Sequence, residues 1–248
     1  MFVLDKGKRF VIPRTEMTYP GHSMKLHQNA ADPVKSPVDH VMMDFEDACP
    51  YEFKGPKSRQ CVVEALNTLD FGKKVITVRP NNVRSEFFLG DIEAIVTSAP
   101  DKFHGLILPK IHGPDDIKYV SSLLDSLEKK AGWKTRLQLE SLIEIPQAVV
   151  KAYDIATASD RMAGLIFGIA DFAATLGIRE VVKNQNINFL YANRLSSSQL
   201  KPRGYTRLIM STCRYGARKI PKTKWLKSKQ DCAIKTSVRP ISAWMAPG

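Results

Sequence analysis

Residues 137–171, LQLESLIEIPQAVVKAYDIATASDRMAGLIFGIAD, decide the fold. Two apolar runs, Leu137–Ile145 and Gly164–Phe167, flank an amphipathic stretch, Pro146–Ala158, and so read as strand, helix, strand. The pattern extends towards the N-terminus. Further strands are expected at Arg9–Pro13, His40–Phe45, Val75–Arg79 and Gly105–Pro109, with helices at Pro56–Leu69, Leu89–Ser98 and Pro114–Lys130. In the last of these, Ile117, Val120, Leu123, Leu124 and Leu127 recur at helical spacing with Lys118, Asp125 and Glu128 between them. Six strands alternating with helices predict an α/β fold on a parallel sheet, closed or doubly wound.

Polar residues gather where the apolar runs stop. Asp44, Glu46 and Asp47 follow the second strand, Arg79 and Asn81 the third, and Lys110 the fourth; Glu144 ends the fifth, and Gly168 and Asp171 follow the sixth. In a parallel α/β barrel the C-terminal strand ends share one mouth, where active sites lie. A single charged residue there marks only the end of burial, whereas five such strand ends together point to a site. Glu144 and Asp171 each adjoin a strongly apolar stretch, where a lone carboxylate is costly. Two readings stay open for the pair. They hold a hard, oxygen-ligated ion such as Mg²⁺, since no Cys/His cluster accompanies them, or each is salt-bridged inside the barrel.

The segments Tyr19–Ser23 (YPGHS), Val41–Arg59 (VMMDFEDACPYEFKGPKSR), Val75–Asn82 (VITVRPNN), Leu106–Ile111 (LILPKI) and Leu142–Gly177 carry a resemblance. In that order they resemble the citrate lyase β-subunit and malyl-CoA lyase family of the HpcH/HpaI aldolase superfamily, over about residues 9–192. The resemblance implies a TIM (β/α)8 barrel that makes or breaks a carbon–carbon bond in 3-hydroxyacyl-CoA thioesters of the malate, citramalate or citrate type. It implies that Glu144 and Asp171 hold Mg²⁺, to which an α-keto acid fragment binds. Arg79 then matches the residue that stabilises the enolate oxygen, and Glu46 and Asp47 match acids that orient the metal's waters. Pro20, Gly21 and Lys110 are expected at the substrate. Ile145 stands where the family commonly has Thr, and Tyr19 is the hydrophobic residue before the Pro-Gly turn; both departures leave the keto acid and the CoA substrate open. The family also implies a homo-oligomer, a trimer or hexamer whose sites borrow a C-terminal segment from a neighbour.

Charge separates the rest of the chain. The 248 residues carry a net +12; residues 1–192 balance 24 Lys+Arg against 24 Asp+Glu, while residues 193–248 hold 13 Lys+Arg and the single acid Asp231. This basic tail is expected to lie outside the lyase domain of residues 1–192 and to be irregular or disordered. Its longest apolar run, Leu208–Met210, is three residues, so no seventh or eighth strand is expected from it and the barrel should be incomplete. A shifted reading frame accounts for its composition. Asn-Arg-Leu-Ser-Ser-Ser-Gln-Leu can be written in codons whose next frame reads QAVVVAA, and the segment that follows rereads as QAAGLHAIDNVYLPLW, a helix–strand unit resembling the family's next segment. On that reading the chain as translated is an inactive, truncated member of the family.

A basic tail can also grip nucleic acid, but this one interleaves only Tyr205, Tyr215, Trp225 and Trp244 and carries no recognisable motif, which disfavours that class. No apolar run approaches the roughly 18 residues of a membrane-spanning helix. The N-terminal MFVLDKGKRF has neither a signal core nor a transit-peptide composition, and the four cysteines show no CxxC spacing. Cytoplasm is the expected compartment, with mitochondria open if the true start lies upstream.

Overall fold

A computed structural model describes residues 2–3, 10–11, 13, 15–178 and 208–210. Two short strands, β1 (Phe2–Val3) and β2 (Phe10–Val11), pair antiparallel in a separate ribbon. The main sheet begins at β3 (Glu16–Pro20) and continues through β4 (His40–Asp44), β5 (Val75–Arg79), β6 (Gly105–Leu108), β7 (Gln138–Ile143) and β8 (Met162–Phe167). These six strands run parallel in chain order, and the sheet is not closed. A further strand, β9 (Leu208–Met210), lies parallel against β8.

The crossovers are helical: α1 (Met24–Ala31), α2 (Pro56–Thr68), α3 (Phe88–Ser98), α4 (Pro114–Ala131), α5 (Pro146–Val150) and α6 (Ala152–Thr157), with α7 (Ile169–Thr175) following β8. Their boundaries have local causes. Proline opens α2, α4 and α5, where its missing N–H is one the helix could not have used. Helix α4 has Asp115 and Asp116 in its first turn, Lys129 and Lys130 in its last, and stops at Gly132 in the left-handed region (φ 72°). That charge order complements the helix dipole, and the glycine takes the closing turn without a Cβ penalty.

The sheet separates two apolar layers. Met42, Ile107, Leu142 and Ile166 form a small cluster on one face. On the other, a larger core joins Val41, Met43, Val78, Leu106, Leu139 and Leu165 to helix residues such as Ile92, Ile117, Val120 and Ile155. The small cluster is the barrel-side layer, and side chains alternate faces along a strand. Asp44 and Glu144, two residues beyond Met42 and Leu142, therefore share its face at the C-terminal mouth. Register sets Asp44 opposite Arg79 on β5.

Three sequence expectations need correction. The sheet's first strand is Glu16–Pro20, not Arg9–Pro13. Only Met17 and Tyr19 of this edge strand pack into the core, so polar residues alternate with apolar ones and no continuous apolar run marks it. The single helix expected over 146–158 is two, divided at Lys151. Leu208–Met210 does extend the sheet, because the open edge of β8 offers unpaired backbone groups that even three residues can satisfy. The expected disorder of the tail lies outside the described residues. Among the described residues no helix is long and apolar enough to cross a membrane.

Candidate active site at the strand ends

The mouth is built around an ion-paired chain. Asp44, fully buried at the end of β4, accepts hydrogen bonds from Arg79 Nε at 2.7 Å and Nη2 at 2.5 Å, and from the backbone N–H groups of Glu46 and Ala48 at 2.8 Å each. Arg79 Nη1 lies 3.7 Å from Glu46 Oε2. Lys110 Nζ donates to Glu46 Oε1 and, at 3.0 Å, to Asp47 Oδ1. Lys110 itself has a positive φ of 51°, and its backbone N–H donates to Glu144 Oε2 at 2.9 Å. That conformation is uncommon for a residue with a side chain. Here it lets one residue serve three carboxylates, Glu46 and Asp47 through its ammonium group and Glu144 through its backbone.

Small residues make room. The N–H of Gly21 donates to Asp44 O at 2.7 Å, and a Cβ at Gly21 would come within 3.0–3.2 Å of Val62, Phe45 and the Asp44 carbonyl. Buried His27 holds the same turn from behind, with Nε2 2.9 Å from Gly21 O and Nδ1 3.2 Å from Tyr19 Oη. At Gly168 a Cβ would stand 2.4 Å from Cγ and 2.8 Å from Oε1 of Glu144. The glycine is what allows the Glu144 carboxylate to lie against the end of β8.

The protonation equilibria follow from burial and neighbours. Burial, and then the charge of Asp171, push the Glu144 carboxyl up to about 7; the Lys110 N–H and the charge of Arg79 oppose this. Burial also raises Glu46, although Lys110 and Arg79 pull against it. For Asp47 burial is outweighed by Lys110 and Arg79, and its carboxyl falls below the usual range. Desolvation disfavours the Arg79 cation, but Asp44, Glu46 and Asp47 more than offset it and its pKa rises. Lys110 is raised by the same balance, with Glu46 and Asp47 overcoming burial.

The structure thus brings Glu46, Asp47, Arg79, Lys110 and Glu144 into one connected cluster. Pro20 is in register with Asp44, Gly21 hydrogen-bonds it, and Asp171 in the first turn of α7 is near enough to Glu144 to perturb it. Among the described residues neither Glu144 nor Asp171 forms an ion pair, so the salt-bridge alternative does not describe them, whereas Glu46 and Asp47 are paired to Lys110. The pair fits a hard divalent cation: Glu144 is raised first by burial and then by the charge of Asp171, and a bound cation would offset both. Among the described residues no group of three or more His, Cys, Asp or Glu could hold a metal. Mg²⁺ does not require one, since it is commonly held by one or two carboxylates with water and substrate oxygens completing the shell.

Sequence reading placed Asp44 among the strand-end residues but gave it no role, since that role depends on its register with Arg79, and it passed over Asp91. The latter looks like an ordinary first-turn helix acid, yet it is fully buried in α3 and accepts from Arg59 Nε at 2.8 Å and Asn81 Nδ2 at 2.7 Å.

Comparison with known proteins agrees with this fold. The family model described as HpcH/HpaI aldolase/citrate lyase matches residues 16–203, eleven residues past the boundary expected at Ala192. The L-malyl-CoA/beta-methylmalyl-CoA lyase of Cereibacter sphaeroides is 31% identical over 166 residues, covering 67% of this chain and 51% of that protein. The citrate lyase subunit beta of Leuconostoc mesenteroides is 31% identical over 183 residues, 73% of this chain and 58% of its own. The chain spans about half the length of the curated relatives it matches. Among solved structures, a citrate lyase beta subunit from M. tuberculosis, complexed with oxaloacetate and magnesium, superposes with a TM-score of 0.64 at 19% identity. That match covers 88% of this chain and 85% of the other.

Proposed function

The chain belongs to the HpcH/HpaI aldolase/citrate lyase family, and from that premise we propose that it is built to cleave or form a carbon–carbon bond between an acyl-CoA thioester and an α-keto acid. One observation carries the reading: Asp171 and the buried Glu144, carboxylates from successive strand ends, form no ion pair among the described residues, and Lys110, whose backbone N–H holds Glu144, also ties in Glu46 beside the clamped Arg79. Glu144 and Asp171 are the residues that would hold Mg²⁺. The ion would supply Lewis-acid polarisation of the keto-acid oxygens.

The protein's own groups account for the rest of the chemistry. In the cleavage direction the bond next to the hydroxyl-bearing carbon breaks, the hydroxyl becomes a carbonyl as its proton passes to solvent, and the bonding pair stays on the thioester fragment as an enolate, which then takes a proton from solvent to give the acyl-CoA. Arg79 meets that developing charge with a guanidinium whose orientation is already set by Asp44, so little reorganisation is needed as the charge forms. Lys110 ties Glu46 and Asp47 to the rim and, through its backbone, aims Glu144. Malyl-CoA and citramalyl-CoA are the substrates to try first, with glyoxylate and pyruvate as the keto acids.

The test uses Mg²⁺-linked thermal stabilisation together with a lyase assay. Glu144→Gln and Asp171→Asn should each abolish stabilisation by Mg²⁺. Undiminished stabilisation in both variants would make the pair structural and remove the basis of the reading.

A further inference from the structure

His27 is fully buried in α1, behind the turn at Gly21. A polar ring in such a place is costly unless its hydrogen bonds are made. Both are made: Nε2 lies 2.9 Å from Gly21 O and Nδ1 3.2 Å from Tyr19 Oη. The partners decide the state of the ring. A peptide carbonyl only accepts, so the proton is assigned to Nε2, which leaves Nδ1 to accept from the Tyr19 hydroxyl. Burial favours this neutral form and lowers the pKa of His27; the Gly21 contact opposes it, and the charge of His22 adds to the lowering. The Tyr19 ring is itself buried and stands edge-on to the imidazole, with centroids 5.2 Å apart at 76°.

The contacts continue from Gly21 into the mouth. The Gly21 N–H donates to Asp44 O at 2.7 Å, so both backbone polar groups of this residue are committed. On the other side of β4, the N–H of Phe45 donates to Arg79 O at 2.9 Å. The end of β4 is thus held between two backbone contacts, one to the Gly21 turn and one to β5. Packing leaves that turn little freedom, because Val62, Phe45 and the Asp44 carbonyl lie within 3.0–3.2 Å of where a Cβ of Gly21 would stand. The Asp44 carboxylate in turn accepts Nε and Nη2 of Arg79. Tyr19, His27, Gly21, Asp44 and Arg79 therefore form one unbroken series, running from the helix layer to the guanidinium. A leucine could fill the space of the imidazole, but it could not hold the Gly21 carbonyl.

We infer that His27 is a positioning residue for Arg79: held as its Nε2–H tautomer by Tyr19, it fixes the Gly21 turn against Asp44 and so sets where the guanidinium stands. The inference rests on the lyase reading for what Arg79 does, and on these contacts alone for how Arg79 is held.

The test reads Arg79 directly, from the solvent exchange of its Nε–H followed by nuclear magnetic resonance in the full chain. The Nε–H of Arg59, which donates to the buried Asp91 at 2.8 Å, is the internal reference. His27→Leu should speed exchange at Arg79 about tenfold, the scale of one lost hydrogen bond, and leave Arg59 as it is. His27→Gln, whose amide nitrogen can reach Gly21 O, should restore the rate to within about threefold. His27→Asn is too short to reach Gly21 and should behave as His27→Leu does, which keeps the comparison if the leucine variant does not fold. Unchanged exchange at Arg79 in His27→Leu and His27→Asn overturns the inference, as does equal acceleration at Arg79 and Arg59, which is general loosening. Turnover is read with one base restored after codon 192. There His27→Leu should lower kcat for malyl-CoA or citramalyl-CoA about tenfold with KM unchanged, and His27→Gln should recover most of it. Wild-type kcat alongside faster Arg79 exchange overturns the catalytic meaning of the positioning. No turnover of either thioester by the restored wild type removes the lyase reading, while the exchange pattern still decides whether His27 holds Arg79.

Discussion

Asp44 and Arg79 stand opposite each other on adjacent parallel strands, and the fully buried carboxylate grips the guanidinium through both Nε and Nη2. Parallel register alone brings an acid and a base to the same height at the sheet's C-terminal edge. The pair is nearly dry, with the Arg79 side chain 11% exposed and that of Asp44 not exposed at all. Removing one member of such a pair leaves the other charge unpaired, which costs about 3–5 kcal/mol. Asp44→Asn is therefore expected to destabilise the fold by that amount in denaturant titration. A double-mutant cycle with Arg79→Met should show strong coupling. Additive effects would mean that the two charges are solvated independently.

Arg79→Lys probes the same contact from the other side. Lysine keeps one positive charge but loses the planar fork that meets Asp44 with two donors and leaves Nη1 towards Glu46. In the frame-restored chain, with the fold largely retained, kcat should fall on the order of 10²-fold, the usual scale for losing a fixed donor at a developing oxyanion. Wild-type turnover would transfer that role to another cation, with Lys110 the first to examine.

The pH dependence of stability follows from Glu144. Its folded pKa of about 7 lies above the ordinary 4.5, first because it is buried and second because Asp171 is near. For an acid raised in the folded state, the stabilising contribution is complete below the unfolded pKa and is lost as pH rises through the folded one. In EDTA the wild-type chain should lose stability between about pH 5 and 8, whereas Glu144→Gln should lose less over the same window. Saturating Mg²⁺ should remove most of the difference. A wild-type profile parallel to that of Glu144→Gln would show that the carboxylate ionises without penalty.

Gly168→Ala isolates the cradle. Its φ of −86° suits alanine, so the backbone is not strained, but the new methyl would stand 2.4 Å from Glu144 Cγ. The Glu144 side chain must move. Mg²⁺ affinity is expected to drop about tenfold or more, the scale reported by shell mutations that reorient a ligand, with only a small change in melting temperature. Unaltered Mg²⁺ affinity would place the ligand geometry elsewhere.

How far the sequence reveals all this depends on whether neighbours in space are also legible as a pattern. Strands β4 to β8 announce themselves because each is buried on both faces and rich in apolar residues, although β7 also holds Glu140 and Ser141. Strand β3 does not, since an edge strand with Glu16 and Thr18 on one side alternates and looks like loop. Glu46, Arg79, Lys110 and Glu144 were findable as charges that break apolar runs at strand ends. Asp44 interrupts the same kind of run, but its value lies in facing Arg79, and register is not written in either strand. Asp91 is harder still: it looks like an ordinary helix acid, and only its contact with Asn81, ten residues away, ties it to the strand ends.

The order of the sheet frames the last prediction. Strands β3 to β9 form a linear series among the described residues, with β3 and β9 as its two edges, and a closed barrel of this type needs eight. The final strand is three residues long, against five or six in β4, β5, β7 and β8. With permitted codons, a shifted frame over residues 193 onward can be reread as an Ala-rich helix followed by a β-like run, a helix–strand unit of the kind that would continue the described series. Expressing the chain beside a version with one base restored after codon 192 tests this. The restored version should melt at a higher temperature, because further strands would pair the backbone groups at the two ends of the described series, β3 and β9. It should also cleave malyl-CoA or citramalyl-CoA where the unrestored chain does not. Equal melting temperature and equal turnover in the two would show that residues 193–248 already serve the fold as they stand.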